Sequence, residues 1–413
     1  MIRRQGIDVL AVERMDRAIR RSGQRFLARS FTPAELAYCQ GRPDRLAGRW
    51  TAKEAVIKCF DRTPICFPRS KIEVLPSHTG APEVRLLGDD AKGAEVQVSI
   101  THQGGIAIAG AWLEIPDVNE LPLPLPVLEG VRLPERPADG HKGTFGTVVA
   151  VAGSRGFTGA AYLTATAAAR AGAGLVRLLV AEGIYLILAV KCTEVMATPV
   201  AEDAPGAIGS LALNAVLEHL RAASAGVIGP GLGREPATWR LVQETVTRAT
   251  CPLVLDADAL NALAEARHLL PVLGAGRVLT PHPGEMARLT GRLTSEVQAD
   301  RRQVAGLAAR EWGAVVVLKG ARTVVAAPDG RVSEDPHEVP ALASGGTGDV
   351  LAGLIAGLMA QGSDAYTAAV TGVYVHAEAG RRLQARQGPA GLLASELLPV
   401  IPIVMKSIRE VKG

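Results

Sequence analysis

Cysteine is scarce and unpatterned in this chain. Cys39, Cys59, Cys66, Cys192 and Cys251 are odd in number and show no CxxC spacing. That pattern excludes a disulfide frame and supplies no zinc quartet, so reduced thiols are expected. Aromatic residues make up only 4% of the chain, too few for base-stacking surfaces. Charge of one sign is also missing: 45 basic residues stand against 41 acidic ones, a net +4. That balance is no nucleic-acid signature. No apolar run is long enough to span a membrane. The opening MIRRQGIDVLAVERMDR breaks into charges too early for a signal peptide. These absences predict a cytoplasmic protein without nucleic-acid or membrane partners.

What is present is bulk. At 413 residues with 48% apolar content, the chain should build two domains or more. Residues 115–127, IPDVNELPLPLPV, are Pro-rich and aperiodic, so they read as an extended, semi-rigid spacer. The expected division is a first domain over 1–116, a linker over 117–128 and a second domain over 129–413.

In the first domain, residues 6–12 read as a short strand and 13–29 as a helix. Arg14, Arg17, Arg20, Arg21, Arg25 and Arg29 give that helix a basic face, either a solvated surface or a dock for an acidic partner. Thr32 and Glu35 spell a capping box around Pro33. A helix from about Asp44 to Phe60 places Glu54 and Lys58 four apart, the spacing of a surface ion pair. KIEVL, PEVRLL, EVQVSITH and IAIAGAWL read as strands.

The second domain alternates strands with helices, which predicts a mainly parallel sheet covered by helices. Ligands then bind at the carboxyl ends of the strands. Loops rich in Gly, Asp and His fall there, in GVIGPGLG, PLVLDADALNAL and RVLTPHPGEMARLTG; AVVVLKGARTVVAAPDG is expected to repeat the strand-to-helix pattern. Near the end, ALASGGTGDVLAGLIAG feeds a Gly-rich turn into an apolar helix beginning at about Asp349. Such a turn offers free backbone N–H groups and the positive end of the helix dipole, a cradle for phosphate. Asp349 is then an N-cap or a base beside the phosphate. No Lys sits in the turn, so it is not a Walker A loop.

GGTGD before an apolar helix resembles the anion-hole and catalytic-Asp motif of the ribokinase-like family. The blocks HKGTFG, GSRGFTGAAYL, GPGLGR, LDADALNAL, TPHPGEMARLTG, VLKGARTVV and ASGGTGDVLAGLIAG resemble, in order, the ADP-dependent NAD(P)H-hydrate dehydratases, over about 129–400. The resemblance implies a ribokinase-like αβα sandwich that repairs hydrated NADH or NADPH with ADP or ATP as phosphoryl donor. It implies that Asp349 activates the hydroxyl and that Gly345, Gly346 and Gly348 bind phosphate. Lys319, Gly320, Ala321 and Thr323 would hold the adenine nucleotide, and Ala160, Gly231 and His282 the hydrate. For Asp256, capping the next helix is favoured over a Mg²⁺ role. For Glu285, a Mg²⁺-water or supporting role is favoured. Many members carry an epimerase domain ahead of the dehydratase, and here a different domain occupies that place.

GIDVLAVERM, FTPAELAYC, GRWTAKEAVIK, KIEVL and VSITH resemble, in order and spacing, the holo-acyl-carrier-protein synthase family, across almost all of 1–116. This implies a smaller α+β phosphopantetheinyl transferase domain that moves 4′-phosphopantetheine from coenzyme A to a serine of an acyl carrier protein. By the resemblance Asp8 and Glu54 hold Mg²⁺, Lys53 contacts phosphate, and His102 stands near the nucleotide or the reacting hydroxyl. The basic helix would meet the carrier protein, and family members are homo-oligomers. Two departures stand out: Asp61-Arg62-Thr63-Pro64 replaces a Gly-rich turn, and Thr101 replaces a Ser. The competing expectation is a ribokinase-like small-molecule kinase behind a non-catalytic, oligomerising first domain.

Overall fold

The computed structural model describes residues 2–60, 68–87, 95–115 and 128–412. The expected linker and the Asp61–Pro64 departure lie outside the described residues. The chain separates into two compact units, Met1–Leu121 and Pro122–Gly413.

The first unit contains β1 (Ile2–Ala11), α1 (Val12–Ser30), α2 (Pro33–Cys39), α3 (Pro43–Cys59), β2 (Ile72–Pro76), β3 (Pro82–Leu86), β4 (Glu95–Gln103) and β5 (Ile106–Ile115). Its antiparallel sheet runs β1-β5-β4-β3-β2. Strand alternation sorts the two faces. Leu10, Ala107, Ala109 and Ala111 are buried, whereas Ile7, Val9, Ile106, Ile108 and Trp112 stay exposed. The expected helix over 13–29 is broken at Gly23, which takes φ 47° and ψ −138°, a conformation only glycine adopts cheaply. The capping box forms as spelled, Thr32 with Glu35.

Glu35 does more than cap. Its carboxylate accepts from Thr32 N at 2.7 Å and Val74 N at 2.9 Å, and it meets Lys53 Nζ at 2.6 Å. The Lys53 ammonium also donates to Ser30 O and Arg69 O. Lys53 is fully buried, and burial pulls its pKa down while Glu35 pushes it back up. The expectation of a phosphate contact from Lys53 is therefore corrected. Every proton of that ammonium is committed inside the fold, so the residue holds α3 against α2 and the segment before β2.

The second unit contains β6 (Thr147–Val151), α4 (Thr158–Arg170), β7 (Leu175–Ala181), α5 (Tyr185–Lys191), β8 (Met196–Val200), β9 (Glu202–Ala204), β10 (Ala207–Ile208), α6 (Leu213–Arg221), β11 (Ala225–Ile228), α7 (Pro236–Arg248) and β12 (Leu253–Leu255). It continues with α8 (Asp258–Ala264), β13 (Arg277–Leu279), α9 (Pro283–Thr290), α10 (Thr294–Ala299), α11 (Arg301–Trp312), β14 (Val315–Leu318), β15 (Val324–Ala326), β16 (Val332–Glu334), α12 (Thr347–Ala360), α13 (Ala365–Gln387) and α14 (Ala394–Lys412). The large sheet runs β16-β15-β14-β13-β12-β11-β6-β7-β8. It is parallel from β8 to β14. Beyond β14 it turns antiparallel, because the chain after VVVL folds back as β15 and then β16 where a helix was expected.

Small residues let α4 and α12 touch backbone to backbone. A Cβ at Gly353 would collide with Thr164 O and Ala167 Cβ, and one at Gly357 with Ala168 O and Ala171 Cβ. This contact fixes where α12 begins, and with it the Gly-rich turn. Among the described residues no helix is long and apolar enough to cross a membrane.

Replacing Lys53 by Met should strand a buried carboxylate at Glu35 and cost about 3–5 kcal/mol of stability. Denaturant unfolding of the variant, followed through the Trp50 side, checks this.

Candidate active sites at the strand ends and at the β1–α3 seam

The turn before α12 is built as a bare cradle. Gly346 is the N-cap residue at φ 89°, and no side chain caps the helix. The Thr347 hydroxyl folds back onto Leu342 O and Ser344 O, so it leaves the first amides alone. Asp349 is the third helical residue. It makes no cap, so the capping alternative is overturned. Its carboxyl is pushed up to about 7, first by burial and then by the charge of Asp256, with Lys319 drawing it back. Beneath the turn, buried His376 directs Nε2 at Thr347 O, 2.9 Å away. Burial drives its pKa down to about 4, so the ring is neutral and Nε2 is the donor.

Lys319 leaves the end of β14 and crosses under the turn. A Cβ at Gly348 would stand 3.3 Å from its Nζ, so the absence of a side chain there makes room for the ammonium. Nζ lies 2.7 Å from Asp256 Oδ1 and 3.9 Å from Glu285 Oε2. Burial opposes its charge, but Asp256 and then Glu285 hold its pKa above the usual lysine range. Asp256 also accepts from Thr280 Oγ1 at 2.7 Å. The favoured capping reading of Asp256 is thus corrected: α8 begins without a side-chain cap, and the carboxylate serves Lys319. Glu285 accepts from His282 N at 2.8 Å, and burial lifts its pKa to about 7.

His282 is the N-cap of α9, its Nδ1 accepting from Gly284 N and Glu285 N. Burial and the nearby Lys319 charge lower its pKa, and the ring remains half-exposed. One edge is thus fixed by the helix, and on the other Nε2 lies 3.5 Å from Glu285 Oε1. Gly231, at φ 62°, packs so that a Cβ would lie 2.9 Å from Ala160 Cβ and from Phe157 Cβ. The α4 helix links this pair to the turn, since Leu163 lies against Gly346.

A cavity of about 380 Å³ opens beside the turn. Lys319, Gly320, Ala321 and Thr323 line it together with Thr347 and Gly348, while Leu342, Leu351 and Val373 supply an apolar end. Four residues expected to hold a nucleotide thus share one cavity with the phosphate turn. Around Gly345 there is open space.

In the first unit, the seam between β1 and α3 collects the expected carboxylates. Lys58 Nζ donates to Asp8 Oδ1 and to Ile7 O, each at 2.8 Å. Glu54 pairs with Arg69 instead of with Lys58. The surface pair suggested by the i,i+4 spacing is therefore absent, and Lys58 and Arg69 join the site unannounced. The clue for Lys58 was its place one turn beyond Glu54, on the same face. Arg69, whose guanidinium also stacks on Trp50, carried no local signal. His102 is exposed on β4 and rests its ring on Gly48 of α3, where any side chain would clash.

The raised carboxyl of Asp349 destabilises the fold once ionised. A group whose folded pKa lies near 7 but whose unfolded value is 3.8 makes stability fall as pH rises between those values. Asp349→Asn should therefore raise Tm at pH 8, and the gain should shrink to nothing below about pH 4, as read by thermal unfolding across pH.

Comparison with known proteins matches two stretches of the chain to two family models. Residues 148–403 match the family model described as NAD(P)H-hydrate dehydratase, and residues 4–109 match that of the 4′-phosphopantetheinyl transferase superfamily. The bifunctional NAD(P)H-hydrate repair enzyme of Moorella thermoacetica is 48% identical over 279 residues, 68% of this chain and 53% of that protein. The chain thus spans about half the length of that relative. The ADP-dependent (S)-NAD(P)H-hydrate dehydratase of Xanthomonas campestris is 41% identical over 268 residues, 64% of this chain and 90% of that protein. Among solved structures, the Bacillus subtilis ADP/ATP-dependent NAD(P)H-hydrate dehydratase, co-crystallised with ATP and Mg²⁺, aligns with a TM-score of 0.56 and 32% identity, covering 67% of this chain and 95% of that one. With its ribokinase-like parallel sheet, its GGTGD turn and a family match over more than half its length, the chain belongs to the NAD(P)H-hydrate dehydratase family.

Proposed function

We propose that the second unit dehydrates the (S) epimer of hydrated NADH or NADPH, using ADP or ATP. The observation that carries this is the placement of Asp349. Its carboxylate stands in the first turn of an uncapped helix, and its neighbours Thr347 and Gly348 line a cavity of about 380 Å³. Hydroxide is a poor leaving group and phosphate a good one, so the hydroxyl must first be phosphorylated. Asp349 takes the hydroxyl proton as the oxygen attacks the terminal phosphorus of the nucleotide and the bond to the shortened nucleotide breaks. The Gly345, Gly346 and Gly348 amides and the dipole of α12 stabilise charge on the phosphoryl oxygens. Phosphate then departs with the C–O bonding pair, and the neighbouring carbon gives up a proton to solvent, its C–H pair becoming the ring double bond. Lys319 adds positive charge under the turn and is itself held by Asp256 and Glu285. Gly320, Ala321 and Thr323 seat the nucleotide. Ala160, Gly231 and the half-exposed ring of His282 receive the hydrate, and the small residues allow a dinucleotide to approach the backbone closely. A simple kinase would share the turn and the fold, but the family match over 148–403 favours the dehydratase.

For the first unit we propose transfer of 4′-phosphopantetheine from coenzyme A to an acyl carrier protein serine. The residues fit Mg²⁺, since two hard carboxylate donors, Asp8 and Glu54, already draw the cations Lys58 and Arg69 to their oxygens. Bound there, Mg²⁺ would neutralise pyrophosphate charge. His102, exposed beside Gly48, is placed to meet the nucleotide or the incoming hydroxyl, and the arginines of α1 suit an acidic carrier protein. The apolar face formed by Ile7, Val9, Ile106, Ile108 and Trp112 supports self-association. The four described cysteines, Cys39, Cys59, Cys192 and Cys251, are buried free thiols, in keeping with the cytoplasm.

Mixing the protein with hydrated NADPH and each nucleotide should restore the reduced-nicotinamide absorbance. No restoration with either nucleotide rejects the dehydratase reading. Asp349→Asn should lower kcat by about 10²–10⁴-fold while carrier-protein modification continues. The rate should rise with pH through about 7, as Asp349 ionises. Asp8→Ala or Glu54→Ala should do the reverse, abolishing the mass gain on the carrier serine and leaving dehydration intact.

A further inference from the structure

Along one wall of the nucleotide cavity, with Asp335 and His337 among its lining residues, runs a buried row of charges that the proposed chemistry does not use. Asp335, His337 and Glu378 are 3%, 8% and 0% exposed. His337 Nδ1 lies 3.0 and 3.2 Å from the two Asp335 oxygens, and Nε2 lies 3.3 Å from Glu378 Oε2. Carboxylate oxygens only accept, so both ring nitrogens must donate, which only the imidazolium can do. Glu378 on α13 is further held by Arg381, at 2.6 and 2.8 Å, and by Arg382 at 2.9 Å. Arg382 reaches on to Ser407 of α14. The edge of Tyr374 packs on the His337 ring at 5.2 Å.

This row is stitched to the cavity. Arg322 N donates to His337 O at 3.1 Å, and Asp335 N donates to Thr323 O at 2.9 Å. The segment carrying Asp335 and His337 thus forms the wall together with Ala321 and Thr323, and α13 contributes Val373 and His376 to the same cavity.

We propose that His337 is a positioning residue for the nucleotide. As a cation gripped by Asp335 and Glu378, it pins the 335–343 segment to α13 and so sets the width of the cavity. The inference rests on the reading that this cavity holds the adenine nucleotide. Remove the proton and one nitrogen faces a carboxylate without a hydrogen, which repels that wall. The two carboxylates lift His337 to about 9 against the cost of burial. Its neighbours hold their charge states across that range. Glu378 is kept down near 2 by Arg381, His337 and Arg382, and Arg381 lies above its usual range. Tyr374 is pushed by burial to about 12 and stays neutral. Stability from the His337 proton is full below its unfolded value of 6.5 and lost as pH rises through about 9.

The test is calorimetric titration of the full-length protein with AMP between pH 7.5 and 10, for wild type and His337→Gln. Wild-type affinity should hold to about pH 8.5 and weaken about tenfold by pH 10. The variant should bind about tenfold more weakly at pH 7.5, with no further change at pH 10, and its KM for the hydrate should stay put. If His337→Gln does not fold, the wild-type profile alone decides. A flat wild-type profile, or a variant that binds like wild type, overturns the proposal. If wild type binds no AMP at pH 7.5, the nucleotide reading itself fails, and the proposal with it.

Discussion

The ammonium of Lys319, held between Asp256 and Glu285 beneath a glycine turn, is the interaction on which the second unit's site depends. Three carboxylates converge there, counting Asp349. Without a cation among them their mutual repulsion in a buried setting would force protons onto more than one. With it, Glu285 and Asp349 sit near 7. A carboxyl poised there is ionised often enough to act as a base and basic enough to pull a proton. Gly348 matters as much for the space it leaves to Lys319 as for its amide.

The architecture serves that cluster. Parallel strands deliver Asp256, the Thr280–His282 loop and Lys319 from three adjacent strand ends, β12, β13 and β14. The turn before α12 is brought over them by the close α4–α12 contact. The proposed nucleotide and hydrate sides therefore rest on different supports. Ala321 and Thr323 hang on the antiparallel extension of the sheet, whereas Ala160 and Gly231 belong to its parallel centre.

Much of this was legible because its causes are local. Alternating apolar residues announced the strands, the Thr32–Glu35 box announced α2, and glycines before an apolar helix announced the uncapped turn at its start. What stayed hidden depends on distant partners. Lys53 is separated from Glu35 in sequence, and only folding shows that its charge is consumed inside the core. Lys58 passes over Glu54, one turn away, for Asp8 on β1. Asp256 looked like a cap because the acidic turn precedes a helix, but Lys319 lies 63 residues on. The fold-back after β14 was missed because a strand ending in Lys-Gly reads alike whether a helix or another strand follows. His337 carried no motif at all, since its meaning comes from Glu378, 41 residues away.

The three glycines of the turn before α12 are not equally constrained. Gly346 needs its positive φ, and Gly348 must leave room for an ammonium, but the space a side chain would take at Gly345 is empty. A methyl or hydroxymethyl group would keep the amide there and meet no wall. Over evolutionary drift, the first of the three should be the one to wander toward alanine or serine, while its companions stay put.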